Sequence, residues 1–357
     1  MVAKRLILIL FSISLSFFTF FSSESNEQVS ALPALKILVV ASYEVDNNTE
    51  VSQIRGFTDR LHYFSKRREI FYEKIYFYYM KGKYNKVTPE ERTVEANRAY
   101  NYVKIINPDF VIVLDDSAKI YLSDIYLCNH HKLKILFGGI NHHSTALYDN
   151  IAGIFEKVRV KEILDIFKTC ANYDCKNVYV FLDGTMTGDF IFESISKEVP
   201  GIKFTPFRLS SLQDLRDFLS QLKDEIAVGS KEPVVLYNLA HRLSKSTGSW
   251  ATVEEISENF FYLNRSYPDL AMASISCNFG VSSCEAIDFV GMGTDLGDML
   301  IEWIYTGVKP KNRESKSYLD FNYSAMSKFF SKEVMSKMDS CIHRNATREV
   351  PCLIPPK

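Results

Sequence analysis

The sequence predicts an α/β protein with two lobes, each built on a parallel sheet. From Leu35 onward, short apolar runs alternate with amphipathic segments, and the runs end in turns rich in Asn, Asp, Gly or Ser. Near-continuous apolar strands that alternate with helices are typical of parallel sheets covered by helices. The alternation starts a second time near residues 150–156, which indicates two successive lobes. A chain of 357 residues with 46% hydrophobic content is sufficient for two packed cores.

The first 31 residues are predicted to be a secretory signal peptide. Two basic residues precede the uncharged apolar run 6–21, a short polar stretch follows, and Val29 and Ala31 suit a signal-peptidase site. An uncleaved anchor is the alternative, although the run is shorter than the ~20 residues that span a bilayer. Cleavage would place the protein in the periplasm or outside the cell.

The first series of elements can be assigned from apolar periodicity. Pro89 at the start of a helix, with Glu90 and Glu91 in the first turn, is typical of helix entry. The predicted elements are a strand at 35–42, a helix at 51–65, an aromatic strand at 70–80, a helix at 89–106, a strand at 110–114, a helix at 120–130 and a strand at 135–137.

A short strand at Ile151–Phe155 is predicted to cross between the lobes, and the second series follows it. The first helix of that series has apolar residues at the i, i+3, i+4 and i+7 positions from Val160. The remaining predictions are strands at 177–183, 202–207, 233–240, 270–276, 287–291 and 318–322, and helices at 190–197, 211–226, 252–264, 292–303 and 324–335. Gly297 is expected to let its helix pack closely against a neighbour.

Seven cysteines are present, and six of them fall into local pairs. Local bridges persist in oxidising compartments, which agrees with export. Zinc is disfavoured because no C-x-x-C spacing occurs. Cys128, which is left over, is interpreted as a small buried hydrophobic residue. The predicted bridges are Cys170 with Cys175, Cys277 with Cys284, and Cys341 with Cys352.

Charge and motifs exclude several function classes. Lys and Arg number 42 against 43 Asp and Glu, for a net charge of -1, so nucleic acid is not an expected partner. The glycines around Gly291 lack the dinucleotide-binding spacing, and no nucleophile motif or phosphate loop occurs. The doublets His130-His131 and His142-His143 are weak metal-site candidates, because adjacent histidines on a helix point apart. We therefore predict no metal site, and no cofactor is expected either. No acid–base set identifies an enzyme.

The strand-end turns are the predicted binding site, because ligands of open parallel sheets bind outside the carboxyl ends of the strands. An amino group would suit Asp115, whereas a carboxylate would suit the Ser117 hydroxyl. Helix capping is an open alternative for Asp116 and Ser117, and Tyr43 either stacks on a flat ligand or covers the sheet end. The candidates are Ser42, Tyr43, Asp115, Asp116, Ser117, Gly139 and Asn141 in the first lobe, and Asp183, Asn238 and Asn278 in the second.

Several blocks of the sequence, in this order, resemble a known family. The blocks are "ILVVASYEVDNNTEVSQIRGFTDRL", "PDFVIVLDDSAK", "KILFGGINHH" followed by "NIAGIFE", "VYVFLDGT", "VLYNLAHRLSKSTGSWATVEEI" and "GTDLGDMLIEWIYTGVKP". From about Leu35 to Val334 the chain is similar to ABC-transporter substrate-binding proteins of the type 1 periplasmic-binding-protein branch. Members of that branch serve amino-acid-type importers or form extracellular sensor domains.

The resemblance implies two Rossmann-like lobes joined by a three-crossover hinge, with the ligand in the cleft between them. The implied division is 32–150 plus 285–307 for the first lobe, 151–284 plus 308–340 for the second, and a tail at 341–357. The chain departs from the family in that tail and in the Cys277–Cys284 loop, which replaces a glycine-rich segment where part of the cleft is expected.

The function implied is that of an exported, monomeric solute-binding protein without a cofactor, whose lobes close on a small polar ligand. An amino-acid-like ligand is favoured, although the same turns would serve a sugar. Its partner would be the permease of an ABC importer. The alternatives are a sensor subunit that feeds a membrane signalling protein and, less favoured, an exported small-molecule enzyme.

Overall fold

The computed structural model describes residues 34–81, 88–141, 148–227, 233–264, 267–271 and 281–345. These residues form two six-stranded sheets, as the sequence predicts. The predicted signal peptide, Asn278 and the cysteines Cys277 and Cys352 lie outside them. Among the described helices, none is both long and apolar enough to span a bilayer.

The first lobe has an all-parallel sheet. Its strands are β1 (Leu35–Ala41), β2 (Tyr72–Tyr79), β3 (Phe110–Leu114), β4 (Lys134–Ile140), β5 (Ile151–Phe155) and β11 (Arg313–Glu314), in the spatial order β11-β5-β4-β3-β1-β2. Its helices are α1 (Asn48–Lys66), α2 (Pro89–Ile106), the π-helical α3 (Ala118–Leu127) and α8 (Phe289–Thr306).

The second lobe repeats the arrangement, except that its last strand is antiparallel to the neighbouring strand. Its strands are β6 (Asn177–Leu182), β7 (Lys203–Arg208), β8 (Val234–Asn238), β9 (Asp269–Ala271), β10 (Ser283–Ile287) and β12 (Ser317–Phe321), in the order β12-β10-β9-β8-β6-β7. Its helices are α4 (Val160–Ala171), α5 (Met186–Glu198), α6 (Leu212–Ala227), α7 (Val253–Leu263), α9 (Tyr323–Met326) and α10 (Lys332–Asn345).

Each sheet has a buried hydrophobic cluster on both faces. In β1 the side chains of Ile37 and Val39 join one cluster, and those of Leu38 and Val40 join the other. Successive side chains of a strand point to opposite faces, so a strand that is apolar at every position must be covered on both sides. The uninterrupted apolar runs in the sequence therefore correspond to strands that are covered on both faces.

The chain passes between the sheets three times, but the crossings differ from the predicted boundaries by several residues. β5 pairs with β4 and so belongs to the first sheet, which moves the first crossing from residue 150 to the segment after Phe155. β10 pairs with β9 in the second sheet, so the second crossing falls at Asp288. The third crossing separates β11 from β12.

The predicted strand at 287–291 is wrong, because most of it belongs to helix α8. The Asp288 side chain accepts a hydrogen bond from the Gly291 amide at 2.7 Å and caps the helix. The preceding strand, β10, ends at Ile287. A five-residue apolar run does not distinguish a strand from the first turn of a helix, and the aspartate at its second position was the deciding signal.

Helices α1 and α8 approach closely at glycines, as expected for Gly297. A Cβ atom at Gly293 would lie 2.0 Å from the carbonyl oxygen of Gln53, and one at Gly297 would lie 2.9 Å from Arg60 Cβ. On the facing helix, a Cβ atom at Gly56 would lie 2.0 Å from the Val290 carbonyl oxygen. Backbone therefore packs against backbone at this contact, which only glycine permits.

The predicted helix at 324–335 divides into α9 and α10. Asn322 begins the first piece by accepting a hydrogen bond from the Ala325 amide at 3.0 Å. The second piece begins at Lys332, after a turn at residues 327–331. A single apolar periodicity did not reveal this interruption.

The predicted bridge between Cys170 and Cys175 is wrong. Cys175 is a buried free thiol that donates a hydrogen bond to the Asn177 carbonyl at 2.9 Å, and burial raises its pKa to about 11. Cys170 and Cys284 are each disulfide-bonded. Cys128 is a buried free thiol, as expected. The pairings with Cys277 and Cys352, and the side chain of Cys341, lie outside what the structure describes.

Candidate functional site

The carboxyl ends of β1, β3 and β4 meet at one polar edge of the first sheet. Ser42 lies at this edge and is fully buried. Its hydroxyl donates to the Leu114 carbonyl at 2.7 Å and accepts from the Ala118 amide at 2.7 Å. Ser42 therefore ties β1 to the turn after β3, and its hydroxyl is occupied within the lobe.

The turn after β1 is fixed by Glu50, which the sequence analysis did not identify. Its carboxylate accepts hydrogen bonds from the backbone amides of Ser42 at 2.6 Å and Tyr43 at 3.1 Å. Glu50 is itself fully buried on α1. Because the helix and the turn are joined in this way, the Tyr43 side chain projects from a rigid support.

Tyr43 faces the turn after β3. Its hydroxyl donates to Asp115 Oδ1 at 2.8 Å. Burial, followed by the charge of Asp115, raises the pKa of Tyr43 well above its ordinary value. The phenol therefore acts as a neutral donor to a carboxylate at every physiological pH.

Asp115 has a left-handed backbone conformation, with φ of +67°. Such a conformation is costly for a residue with a Cβ atom and persists only where the surroundings enforce it. Asp115 Oδ1 also accepts from the Asp116 amide at 2.7 Å. An aspartate held in this way, at a strand end, is a candidate for ligand contact rather than for helix capping.

Asp116 is 0% exposed and holds the turn after β4. Its Oδ1 accepts from the Asn141 backbone amide at 3.0 Å, and its Oδ2 accepts from the Asn141 side-chain amide at 3.4 Å. Ser117 makes no capping hydrogen bond to the helix that follows. The two residues therefore do not act as side-chain caps, and Asp116 joins the two turns of the first lobe.

Glu156, which the sequence analysis missed, completes a buried group of carboxyls with Asp115 and Asp116. It follows β5 directly and is 6% exposed. Burial first, and then the charges of Asp115 and Asp116, raise the pKa of Glu156 well above its ordinary value, while a hydrogen bond with Asn141 lowers it. A charged residue immediately after an apolar strand was the available signal.

Gln53 is the third residue that the sequence analysis did not single out. It lies on α1 and is 0% exposed, and neither atom of its side-chain amide has a hydrogen-bond partner among the described residues. A Cβ atom at Gly139 would lie 2.8 Å from Gln53 Nε2 and 3.3 Å from Glu156 Oε1. The turn at Gly139, with φ of +72°, thus separates the amide from the carboxyl.

The second lobe meets this edge through the first turn of α5. Thr187 Oγ1 donates to Asp116 Oδ2 at 3.3 Å and lies 3.5 Å from the Tyr43 hydroxyl. Beside it, Arg92 Nη1 donates to Met186 Sδ at 3.4 Å. The lobes are therefore in contact, and the contact involves the same carboxyl group and phenol that end the strands of the first lobe.

The predicted residues of the second lobe organise its own turns. Asp183 accepts from the Thr185 amide at 3.0 Å and from the His241 amide at 2.9 Å, which joins the ends of β6 and β8. Asn238 Oδ1 accepts from the Ala240 amide at 3.0 Å. The Asn238 Nδ2 atom is buried and has no hydrogen-bond partner among the described residues. The structure does not place either side chain against the carboxyls of the first lobe.

Sequence comparison matches no protein-family model and no curated protein. The fold is the two-lobed fold of type 1 periplasmic binding proteins, which confirms the predicted fold class and the resemblance at the level of structure. At the low identities involved, similarity between structures establishes the fold alone.

Three solved structures illustrate the similarity. An ABC domain from Streptococcus pneumoniae in complex with L-Trp has a TM-score of 0.58 at 12% identity, covering 85% of this chain and 98% of that chain. A conserved domain protein from Vibrio cholerae has a TM-score of 0.57 at 15% identity, covering 85% and 98%. The ligand-free, open structure of a substrate binding protein with adhesive properties from Clostridium difficile has a TM-score of 0.55 at 14% identity, covering 83% and 94%.

Proposed function

We propose that the protein is an exported solute-binding protein that captures a small polar ligand between its lobes. The observation that carries the proposal is the contact of Thr187, from the second lobe, with Asp116 and Tyr43 of the first. A ligand lying at this junction would touch both lobes only when they are closed. A ligand drives closure of a two-state hinge when it binds the closed form more tightly than the open form.

An amino-acid-like ligand is favoured by the charges around the junction. Asp115 and Asp116 suit an amino group, because hydrogen bonds between ammonium groups and carboxylates are the strong, charge-assisted kind. Arg92 flanks the same end of α5, where its Nε atom is buried and has no hydrogen-bond partner among the described residues. A guanidinium suits a ligand carboxylate. The two charges would fix the orientation of an amino acid.

Delivery to an ABC importer is the favoured role of the bound state. The two solved relatives from Streptococcus pneumoniae and Clostridium difficile are described as an ABC domain with bound L-Trp and as a substrate binding protein. Closure of the lobes changes the surface that a membrane partner would bind. A permease and a membrane sensor could therefore both recognise the closed form. Neither role requires catalysis. Export rests on the predicted signal peptide at residues 1–31.

The proposal is tested with the protein from residue 32 onward, purified without denaturation. Native mass spectrometry should detect a retained small molecule, and that molecule should raise the Tm of the protein after its removal and return. The compound should be recovered chemically unchanged after prolonged incubation. Turnover of the compound would make the protein an enzyme, and the absence of any stabilising solute in a broad metabolite screen would refute solute binding.

A further inference from the structure

We propose that the floor of the cleft selects net-cationic ligands and places an ammonium or guanidinium group between Glu156 and the Gln53 side-chain amide. The inference rests on the proposed solute-binding function and names the class of solute. Candidate ligands are therefore basic amino acids and small diamines, and neutral amino acids or sugars are disfavoured.

The first observation is the concentration of buried negative groups. Asn141 joins two of them, because it bonds to Asp116 through its backbone and side-chain amides and also to Glu156. Asp115 precedes Asp116 and acts on Glu156 through its charge. Three carboxyls, each 6% exposed or less, thus lie along the same edge of the sheet. A buried charge of one sign requires compensation by the opposite charge.

The charged groups that have the largest effect on Glu156 are acidic. Asp115, Asp116 and Glu285 each raise its pKa, and no lysine, arginine or histidine of these residues forms an ion pair with it. Burial and these charges disfavour the ionised form of Glu156 in the ligand-free protein. A ligand cation would favour that form.

The second observation is independent of the carboxyls. Gln53 is fully buried beside Glu156, yet its Oε1 and Nε2 atoms bond to nothing among the described residues. Buried polar atoms without partners are rare in folded proteins and are costly. The Oε1 atom can accept a hydrogen bond from a ligand nitrogen, next to a carboxyl that accepts another.

Gly139 lies against both of these groups. A side chain at Gly139 would approach Gln53 Nε2 to 2.8 Å and Glu156 Oε1 to 3.3 Å with its first carbon alone. The neighbouring Gly138 likewise has Gln53 Oε1 at 3.1 Å from its absent Cβ position. The two glycines therefore let the backbone of this turn pack directly against Gln53 and Glu156, where a side chain would collide with them.

An organic cation fits this geometry better than a metal ion does. Within the part of the chain that is described, no three His, Cys, Asp or Glu side chains converge as metal ligands would. The acceptors are instead spread along the edge of the sheet, from Asp115 to Gln53. A ligand with nitrogen donors separated by a short chain can reach both ends.

The test is isothermal titration at about pH 8 with two matched groups of probes. L-Arginine, L-ornithine and putrescine carry the proposed charge, and L-citrulline and L-norvaline are their neutral counterparts. At least one cationic probe should bind about ten-fold or more tightly than its neutral counterpart, because hydrogen bonds to charged groups are the stronger kind. If neutral solutes bind as tightly as cations, the inference is overturned while solute binding stands.

Two variants assign the preference to these residues. Glu156→Gln and Gln53→Met should each reduce the preference for the cation by about ten-fold, whereas Glu258→Gln, an exposed control on α7, should not change it. The affinity of the native protein for the cation should also fall as the pH is lowered and Glu156 becomes protonated, and Glu156→Gln should lose this dependence. A Gln53→Met variant that folds and keeps the full preference would overturn the inference even if Glu156→Gln did not fold.

Discussion

The substitution Glu285→Gln should remove a pH dependence of stability that originates at the hinge. Glu285 is buried in β10, beside the crossings between the lobes, and accepts hydrogen bonds from the Arg159 backbone amide at 2.9 Å to each oxygen. The Ser317 side chain supplies a further hydrogen bond. Burial outweighs these bonds and raises the pKa of Glu285 from 4.5 to about 7.

The sign and size of the effect follow from that pKa. A carboxyl whose pKa is raised by folding contributes stability that is complete below its unfolded pKa and is lost as the pH rises through the folded pKa. For Glu285 this window runs from 4.5 to about 7. Each pKa unit of difference between the folded and unfolded protein corresponds to about 1.4 kcal/mol. Roughly 3 kcal/mol of unfolding free energy should therefore be lost between about pH 5 and about pH 9.

Glutamine resembles the protonated form of Glu285 and should abolish this part of the loss. Urea unfolding, followed by the fluorescence of Trp250 in the second lobe and Trp303 in the first, would be measured at several pH values. The difference between variant and native protein should shift in favour of the variant by roughly 3 kcal/mol from about pH 5 to about pH 9. If the difference in unfolding free energy is the same at about pH 5 and about pH 9, the argument is refuted. Glu258→Gln, at an exposed position, is the control.

Three further predictions concern the site and the helix contact. Thr187→Val should open the ligand-free protein, because it removes the hydroxyl that donates to Asp116. The opening would be measured as a larger radius of gyration in X-ray scattering. An unchanged radius would show that this contact does not hold the lobes together. Asp115→Asn should weaken ligand binding about ten-fold in titration with little change in the Tm of the empty protein, whereas a large loss of Tm would indicate a structural role. Gly293→Ala should lower the free energy of unfolding by ~3 kcal/mol or more in urea, because its Cβ would lie 2.0 Å from a carbonyl oxygen. Gly188→Ala is the control and should not cause such a loss, because the nearest neighbour of its Cβ would lie at 3.3 Å.

The elements with the clearest local signals were predicted best. Helix α2 begins at Pro89 and ends at Ile106, as expected, because Thr88 and Glu91 form a reciprocal capping box at its start. β3 and β5 also have their predicted bounds. In each case a local sequence signal marks the boundary, either a helix cap or an abrupt change from apolar to polar residues.

The remainder depended on contacts between distant segments. That β5 belongs to the first sheet follows from its pairing with β4, which no local pattern reveals. The thiol of Cys175 lies five positions from Cys170, yet it bonds to Asn177 instead. Gln53 resembles any polar residue of an amphipathic helix until the turn at Gly139 is placed against it. The turns of the site could therefore be predicted, but not which side chains meet there.

Glu156 also links the ligand site to the hinge. Glu285 is among the charges that raise the pKa of Glu156, so the two carboxyls sense one another. A cation bound at Glu156 would favour the ionised form of Glu156 and would cancel its repulsion of Glu285. A neutral ligand would have no such effect. Ligand charge and hinge stability should therefore share one pH dependence, and binding of a cation should offset part of the stability lost between about pH 5 and about pH 9.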